Sequence, residues 1–517
     1  MNIIRKIATC SLLLWMAMPI VYAKTILFVP IDDRPVSAVY EVDTVKAAKF
    51  DILVPPTDYL AGRHRAGDPE QLWQWINDNA NKADAMVLSA DSLIYGGLVD
   101  SRIHDFSSNI LEERLNRFRQ LREANPHARM YVFSTIMRSP HASFGGVEPP
   151  YYDTYGGDIF QYTALKDKGE VMKLTADEQR TIQSLEKAIP SAFMSDWMSR
   201  REKNFHANTN LIDLTKAGTL NYLIIGRDDT SPYSQSHKES RMLSKLAANL
   251  SDAKYISFPG ADQLGMVLLA RAYNELTMQM PIVEIQYALG TGAETIASYE
   301  DQPIGHTIKD HIRAAGGIVA SGLETPDLLL VVNTPLANGT KEAGVFENLP
   351  IITDCTRQFV TTIENRLAAG KPVAVADIAF ANGADNSLMR ELYERGLLDK
   401  ISAYSGWNTA SNTLGYAIGQ GMMATGMSDK ERQRLLIVRY LDDWAYQANI
   451  RKEIYRELYY AEQGGPDYFN WLEPEITSDT EKKIRLFARQ YLWVEPNKLK
   501  VSFPWHRMFE IKVEIEQ

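Results

Sequence analysis

Apolar runs of strand length alternate with helical patterns along most of this chain, and several of the runs stop abruptly at carboxylates. KTILFVPIDDRPVS ends its run in Asp32, Asp33 and Arg34. AMVLSADSLIYGG ends in Asp91, and LNYLIIGRDDTSP ends in Arg227, Asp228 and Asp229. Runs that are apolar throughout, without period-two alternation, read as strands covered on both faces, which is the pattern of a parallel sheet. Strands are expected near 26–31, 51–55, 85–90, 129–135, 221–226 and 254–258, then near 282–287, 316–320, 327–333, 372–378 and 401–405. Helical patterns fall between them, for example at 69–80, 109–124, 238–249, 262–277, 353–369, 385–396 and 411–424. This is a βαβ rhythm. In such folds the carboxyl ends of the strands are where ligands bind.

There are more strands than an eight-stranded barrel needs, and a second start occurs at Ile282. The expected class is therefore α/β, with two doubly wound parallel-sheet lobes at 24–280 and 281–425. One elaborated (β/α)8 barrel is the alternative. From about 428 the rhythm changes. Leu435, Val438, Leu441, Trp444, Ala445 and Ala448 recur at helical spacing, so 426–517 reads as a helical extension. Asp442 and Asp443 on that helix read as solvated or capping carboxylates. The final KLKVSFPWHRMFEIKVEIEQ alternates like an edge hairpin or strand. Between Thr135 and Leu220 lies a long excursion that opens RSPHASFGGVEPPYYDTYGG, with a helical pattern near 177–204. Its opening reads as a lid or binding loop. Gly415, Gly419 and Gly421 suit close helix–sheet packing.

Residues 1–23 read as a signal peptide: Arg5 and Lys6, a short apolar core from Ile7 to Ile20, and the small residue Ala23 at the cleavage point. The core is too short for a permanent span, and no later stretch is long and apolar enough. The expected location is secreted or periplasmic, after cleavage near Ala23, with no stable membrane insertion. Formal net charge is −10 for the 517 residues, and loss of the leader makes it more negative. An acidic chain of this kind argues against nucleic acid as a partner, because phosphate binding needs a basic surface. Of the two cysteines, Cys10 lies in the leader, so Cys355 has no intrachain partner once the leader is gone. Its place at the opening of a helix reads as structural.

Two adjacent aspartates at a strand end point to opposite sides of the backbone, so one of Asp228 and Asp229 can face a cleft while its neighbour is held by an arginine. Paired carboxylates are the minimum equipment for glycoside hydrolysis, and they also suit Mg²⁺ or Ca²⁺. Helix capping is the bland reading of any one of them. The candidate catalytic set is Asp228, Asp229, Asp32, Asp33 and Asp91, with Asp229 as general acid, Asp228 as its partner, and the others holding hydroxyls or supplying the second carboxylate. Arg34, Arg102, Arg138 and Arg227 close or follow strands. Some must pair with aspartates, and a surplus guanidinium would bind an anionic group. Tyr95 sits beside the Gly96–Gly97 pair. Asp262, in FPGADQLG, is either a cleft carboxylate or a helix N-cap. Asp377, Trp407 and Asn408 end strands of the second lobe. Trp407 and Tyr151 are candidate platforms for a sugar ring, and an amide such as Asn408 suits its hydroxyls. His141 and His237 are the histidines nearest the cleft.

Other chemistries lack their motifs. HExxH, cysteine clusters, GxSxG, the phosphate loop and GxGxxG after the first strand are absent. No metal or organic cofactor is therefore expected, with Mg²⁺ or Ca²⁺ as the alternative. Taken together, PIDDRPV, LSADSLIYGGLVDSR, FSTIMR, EPPYY, RDD, PGADQLG, ADIAFANGAD and GWNTASNTLG resemble a mostly bacterial family known only as a domain of unknown function. The resemblance covers nearly the whole chain after the leader. It implies no activity, and family members usually carry glutamate where this chain has Gln263, which weakens any role assigned there. The expectation that follows from the residues is a secreted carbohydrate-active hydrolase acting on a glycan or small glycoside. A Mg²⁺- or Ca²⁺-dependent hydrolase of phosphate or amide bonds, or a non-catalytic periplasmic binding protein, are the alternatives. The residues do not determine oligomeric state.

Overall fold

The computed structural model describes residues 24–141, 146–322, 324–459 and 469–516. The expected leader, residues 1–23, lies outside them. Two parallel sheets dominate. The first contains β1 (Thr25–Val29), β2 (Asp51–Leu53), β3 (Ala85–Ser89), β4 (Arg129–Ile136), β5 (Tyr222–Arg227) and β6 (Tyr255–Pro259), in the order β2-β1-β3-β4-β5-β6. The second contains β7 (Ile282–Tyr287), β8 (Ile318–Val319), β9 (Leu328–Asn333), β11 (Val373–Asp377) and β13 (Ala403–Ser405), in the order β13-β11-β9-β7-β8. A short parallel pair, β10 (Lys341–Glu342) with β12 (Phe380–Ala381), lies beside it. Among the described residues there is no closed barrel, so the two-lobed α/β architecture is the one adopted.

In both sheets the chain starts in the interior, steps outward once, then reverses past its starting strand. Each sheet therefore has a topological switch point, at β1/β3 and at β7/β9. Every residue of β3, β9 and β11 is buried, as both-face coverage requires. The edge strand β2 is three residues long and opens on exposed Asp51, which blunts the edge. Helix starts carry local signals. Asp68 accepts from the Glu70 and Gln71 amides ahead of Pro69, and Thr175–Glu178 and Ser428–Glu431 form reciprocal capping boxes.

The two sheets share one core. Phe28, Val87, Phe133 and Phe258 of the first sheet and Leu330, Val332, Ala374 and Ala376 of the second belong to the same buried cluster, with helices 40–47, 264–276, 304–314 and 410–423 supplying the rest. Their strand neighbours, such as Leu27, Val29, Leu329 and Val331, face two outer clusters, as strand alternation demands. The glycines of helix 410–423 set its distance from its neighbours. A Cβ on Gly415 would run into the Gln263 side chain, and one on Gly419 would sit 2.5 Å from Met266 Cγ. Only Gly421 faces the sheet, at 3.0 Å from Ala374 Cβ. The close packing expected against a sheet is thus chiefly helix against helix.

The excursion between β4 and β5 is mostly helical: Tyr152–Val171, Ala176–Ala188 and Ser191–Lys216, with a small core around Trp197 and Ile159. The C-terminal region is helical over Asp429–Ile454 and Phe469–Tyr491 and ends in an antiparallel hairpin of β14 (Leu499–Ser502) and β15 (Lys512–Ile515). Asp442 and Asp443 correct the expectation of solvated carboxylates. They lie in a π-helical stretch, Tyr440–Ile450, and are 6 % and 0 % exposed. Both pair with buried Arg439, and Asp443 accepts from the Gly406 amide at 2.8 Å. The wider π turn carries these side chains inward and ties the extension to the end of β13. Among the described residues no helix is long and apolar enough to cross a membrane.

Candidate active site at the meeting of the two sheets

A cavity of about 300 Å³ opens where the carboxyl ends of both sheets meet. β1 delivers Arg34, β5 delivers Asp228 and Asp229, and β6 delivers Gly260–Asp262. The second lobe adds Tyr299, Asn382, Asn408 and Asn412, and the C-terminal hairpin covers the cavity with Trp505, Arg507 and Phe509. Trp505 reaches across to pack with Val99 and Val147.

Arg34 is the central ion. Its guanidinium forks onto Asp262 (2.6 and 3.2 Å) and its Nε donates to Asp32 Oδ2 at 2.9 Å, all three groups being buried. Asp262 also accepts from Asn408 Nδ2 at 3.2 Å and, at longer range, from Trp407 Nε1 at 3.4 Å. Burial pushes the Asp262 carboxyl up, but Arg34 outweighs it, with Asn408 and Trp407 adding to the effect, and holds it below the ordinary range. Asp262 is no cap, since Gln263 occupies the N-cap position of helix 264–276.

Asp228 and Asp229 lie just beyond the end of β5 and diverge, each to its own arginine. Arg102 Nη2 donates to Asp228 at 2.6 Å and Arg138 Nη1 to Asp229 at 2.7 Å. Buried Glu148 joins the two, accepting from Arg138 at 2.6 Å and from Arg102 at 3.3 Å. Burial raises Asp228 to about 6, opposed by Arg102 and reinforced by the neighbouring charge of Asp229. Arg102 Nε, Glu148 Oε2 and Asn382 Oδ1 are buried without a hydrogen-bond partner among the described residues. Such groups are rare in folded proteins and mark places where a further polar partner fits.

The backbone is strained here as well. Among the described residues seven non-glycine residues have positive φ, and four of them line this cavity: Asp229 (33°), Tyr299 (69°), Asn382 (58°) and Asn408 (57°). Left-handed backbone of this kind concentrates at functional sites, because surrounding structure must hold it there.

Asp32 lies behind Arg34, 1 % exposed. Asp33 turns towards Trp505 Nε1 (2.6 Å) and Arg65 (2.9 Å). Burial raises both carboxyls, against Arg34 for Asp32 and against the Trp505 hydrogen bond for Asp33. Asp91 is fully buried, holding the Thr135 amide (2.9 Å) and hydroxyl (3.1 Å), and burial lifts it to about 7. None of these three lines the cavity. Asp32 and Asp91 are buried behind the lining and Asp33 is held by Trp505 and Arg65, so of the candidate catalytic set only Asp228 and Asp229 line the cavity, with Asp262 beside them. Trp407 is 1 % exposed and packs in the shared core against Phe509, so it offers no open face for a sugar. Tyr151 stacks on Phe193 within the helical excursion, and Tyr95 is buried against His104. Arg227 forks onto Asp301 of the second lobe and acts as a tie between lobes. Asp377 is buried at the carboxyl end of the interior strand β11, bound by Asn333, Tyr404 and the Asp385 amide. His141 packs on Phe160, and His237 lies between Asp167 and Arg241.

Contributors outside the sequence candidates include Glu148, Tyr299, Asn382, Asn412, Trp505, Arg507 and Phe509. Glu148 stood in the quoted EPPYY segment, and Asn382 in ADIAFANGAD. Trp505 and Arg507 carried no signal beyond aromatic and basic residues in a hairpin turn. Among the described residues no three His, Cys, Asp or Glu side chains are grouped to hold a metal ion.

A family model described as "Protein of unknown function (DUF4127)" matches residues 26–514, and the chain belongs to that family. No curated protein matches the chain. Among solved structures, the chain is similar to a complex between a UDP-glucosyltransferase from Polygonum tinctorium capable of glucosylating indoxyl and 3,4-dichloroaniline. Identity is 9 % over 83 % of this chain and 96 % of that one, with a TM-score of 0.18, and a likeness so slight carries no argument about activity.

Proposed function

We propose that this member of a family without an assigned activity is a glycoside hydrolase, exported after cleavage near Ala23, whose reaction takes place in the cavity between the two sheets. The observation that carries the reading is the Asp228–Asp229 pair. Two adjacent carboxylates leave one strand end, each is oriented by a separate arginine, and burial pushes Asp228 up to about 6. A carboxyl that keeps its proton near neutrality is what a general acid needs. Burial makes Asp228 the acid and leaves Asp229, 25 % exposed at its side chain, as the partner that steers the substrate. This exchanges the roles expected from sequence.

As the glycosidic C–O bond breaks, Asp228 passes its proton to the leaving oxygen. Water then supplies hydroxide to the anomeric carbon and returns a proton to the site. Other features of the cavity suit a neutral polyol. Its guanidiniums are already matched by carboxylates, the amides Asn382, Asn408 and Asn412 line it, and Tyr299 stands 45 % exposed at its rim. A cavity of about 300 Å³ is at the small end for ligand sites and suits one or two sugar rings. The shared core argues against a receptor whose lobes close by hinging. The arginine pairing argues against a metal centre built on the same carboxylates.

The test is a glycan and chromogenic-glycoside screen of the exported protein, followed by Asp228→Asn and Asp229→Asn. Asp228→Asn lowers kcat by about 10²- to 10⁴-fold, with partial rescue by substrates carrying good leaving groups. An unchanged kcat removes Asp228 from the reaction. An activity abolished by chelator, restored by Mg²⁺ or Ca²⁺ and indifferent to the leaving group overturns the acid assignment in favour of a metal. N-terminal sequencing that begins near Lys24 supports export, and intact Met1 in the membrane fraction refutes it.

A further inference from the structure

The second sheet has its own switch point, between β7 and β9, and a separate cavity of about 660 Å³ opens there. Its walls are apolar, from Leu289, Leu336, Ile351, Phe359 and Phe380. Its rim leaves Leu289, Leu336 and Ile351 at 52 %, 72 % and 62 % exposed, an unusual concentration of open aliphatic surface. Its floor is polar and narrow. Thr334, 3 % exposed, has a hydroxyl without a hydrogen-bond partner among the described residues, and beside it Asn333 Nδ2 donates to Asp385 at 3.0 Å and to Asp377 at 2.9 Å. A large apolar pocket with a few converging polar groups at a switch point is the usual form of a small-molecule site.

The floor also selects the ligand's charge. Buried Asp377 and half-buried Asp385 sit together, and the Asp385 side chain already caps helix 386–394 by accepting from the Ser387 amide at 2.9 Å. That helix end is thus closed to an anion. Lys341, the one basic side chain of the lining, is 3.0 Å from Glu347. Phosphates and carboxylates are disfavoured.

We infer that this cavity is a binding site for an uncharged amphipathic small molecule, with its apolar body between the leucine, isoleucine and phenylalanine walls and a hydrogen-bonding head at Thr334 Oγ1. The site does not depend on the hydrolase reading, since it shares no lining residue with the cavity between the sheets. Cys355 lies in its wall and is a built-in reporter.

The experiment uses the full chain and the neutral fluorescent amphiphile N-phenyl-1-naphthylamine, whose N–H can donate to Thr334. The expected result is saturable binding at one site per chain. Leu336→Asp, at an exposed position that the fold does not need, weakens it by at least about tenfold. Thr334→Val, which keeps shape and removes the hydroxyl, weakens it by about threefold to tenfold. At ten times Kd the probe slows iodoacetamide labelling of Cys355 about tenfold by mass action, read by peptide mass so that Cys10 does not contribute. Unsaturable fluorescence, binding indifferent to Leu336→Asp, or labelling of Cys355 unchanged by the probe overturns the inference. A chain that is dimeric, binds no probe, and becomes monomeric on Leu336→Asp also overturns it, by making this face an interface between copies.

Discussion

Replacing Arg34 by methionine leaves two buried carboxylates, Asp32 and Asp262, without their shared cation. Breaking a buried pair in this way costs about 3–5 kcal/mol, because the surviving charge is neither solvated nor matched. With about 2.1 cal/mol/K of unfolding entropy per residue, 517 residues unfolding together carry about 1.1 kcal/mol/K, so the loss lowers Tm by about 3–5 °C near pH 7.5. The core shared by the two sheets is the reason to treat them as one cooperative unit. The pH dependence gives a second, sharper signature. In the wild type Asp262 is held below its ordinary pKa despite its burial, so its contribution to stability is present above the unfolded value and is lost as pH falls through the folded one. Without Arg34, burial and the mutual repulsion of the two carboxylates outweigh the remaining Asn408 and Trp407 hydrogen bonds, and both carboxyls are expected above their unfolded values. The variant then binds protons on folding, so its deficit is largest near neutrality and shrinks as pH falls towards 4.5. Thermal melts of Arg34→Met at pH 7.5 and 4.5, beside the surface control Arg357→Ala, measure both effects. Arg357 is 55 % exposed and its pair with Asp354 is worth no more than about 1 kcal/mol. A Tm loss no larger than that of the control, or a deficit equal at the two pH values, refutes the argument.

Two other perturbations test the frame around the site. Gly415→Ala places a Cβ against the Gln263 side chain and forces helices 410–423 and 264–276 apart, so a melt should show a loss of about 1–3 kcal/mol; a gain, as at an unobstructed helix position, refutes the contact. Glu300 is raised to about 8 by burial, against its hydrogen bonds from the Ser411 amide and hydroxyl. The Glu300 contribution therefore makes wild-type stability fall as pH rises from about 5 to 8, while Glu300→Gln, which accepts from the Ser411 amide, can donate to the Ser411 hydroxyl and cannot ionise, should lose less Tm over that window than the wild type; parallel profiles for the two proteins refute the assignment.

The alternation of apolar strand runs with helical patterns was enough to specify two parallel sheets, because a strand covered on both faces admits few polar residues and its crossover needs a helix. The strand-end motifs were equally direct. Asp228, Asp229, Asp262, Arg34, Arg102 and Arg138 all lie at the carboxyl ends where ligands bind. Partnership was not legible. Asp32 and Asp91 have the same local signature as Asp228, yet they became a buried layer, because whether a strand-end carboxylate faces a cavity depends on what packs over it. Trp407 looked like a platform and became core, while Trp505, in a terminal hairpin with no motif, reached back to Asp33 across most of the chain. Asp442 and Asp443 face inward, in a π-helical stretch where buried Arg439 pairs with both. Local sequence determines period, capping and burial of whole elements, since those depend on neighbours a few residues away. The pairing of charges and the walls of a cavity depend on residues brought together from distant parts of the chain, and only the tertiary structure decides them.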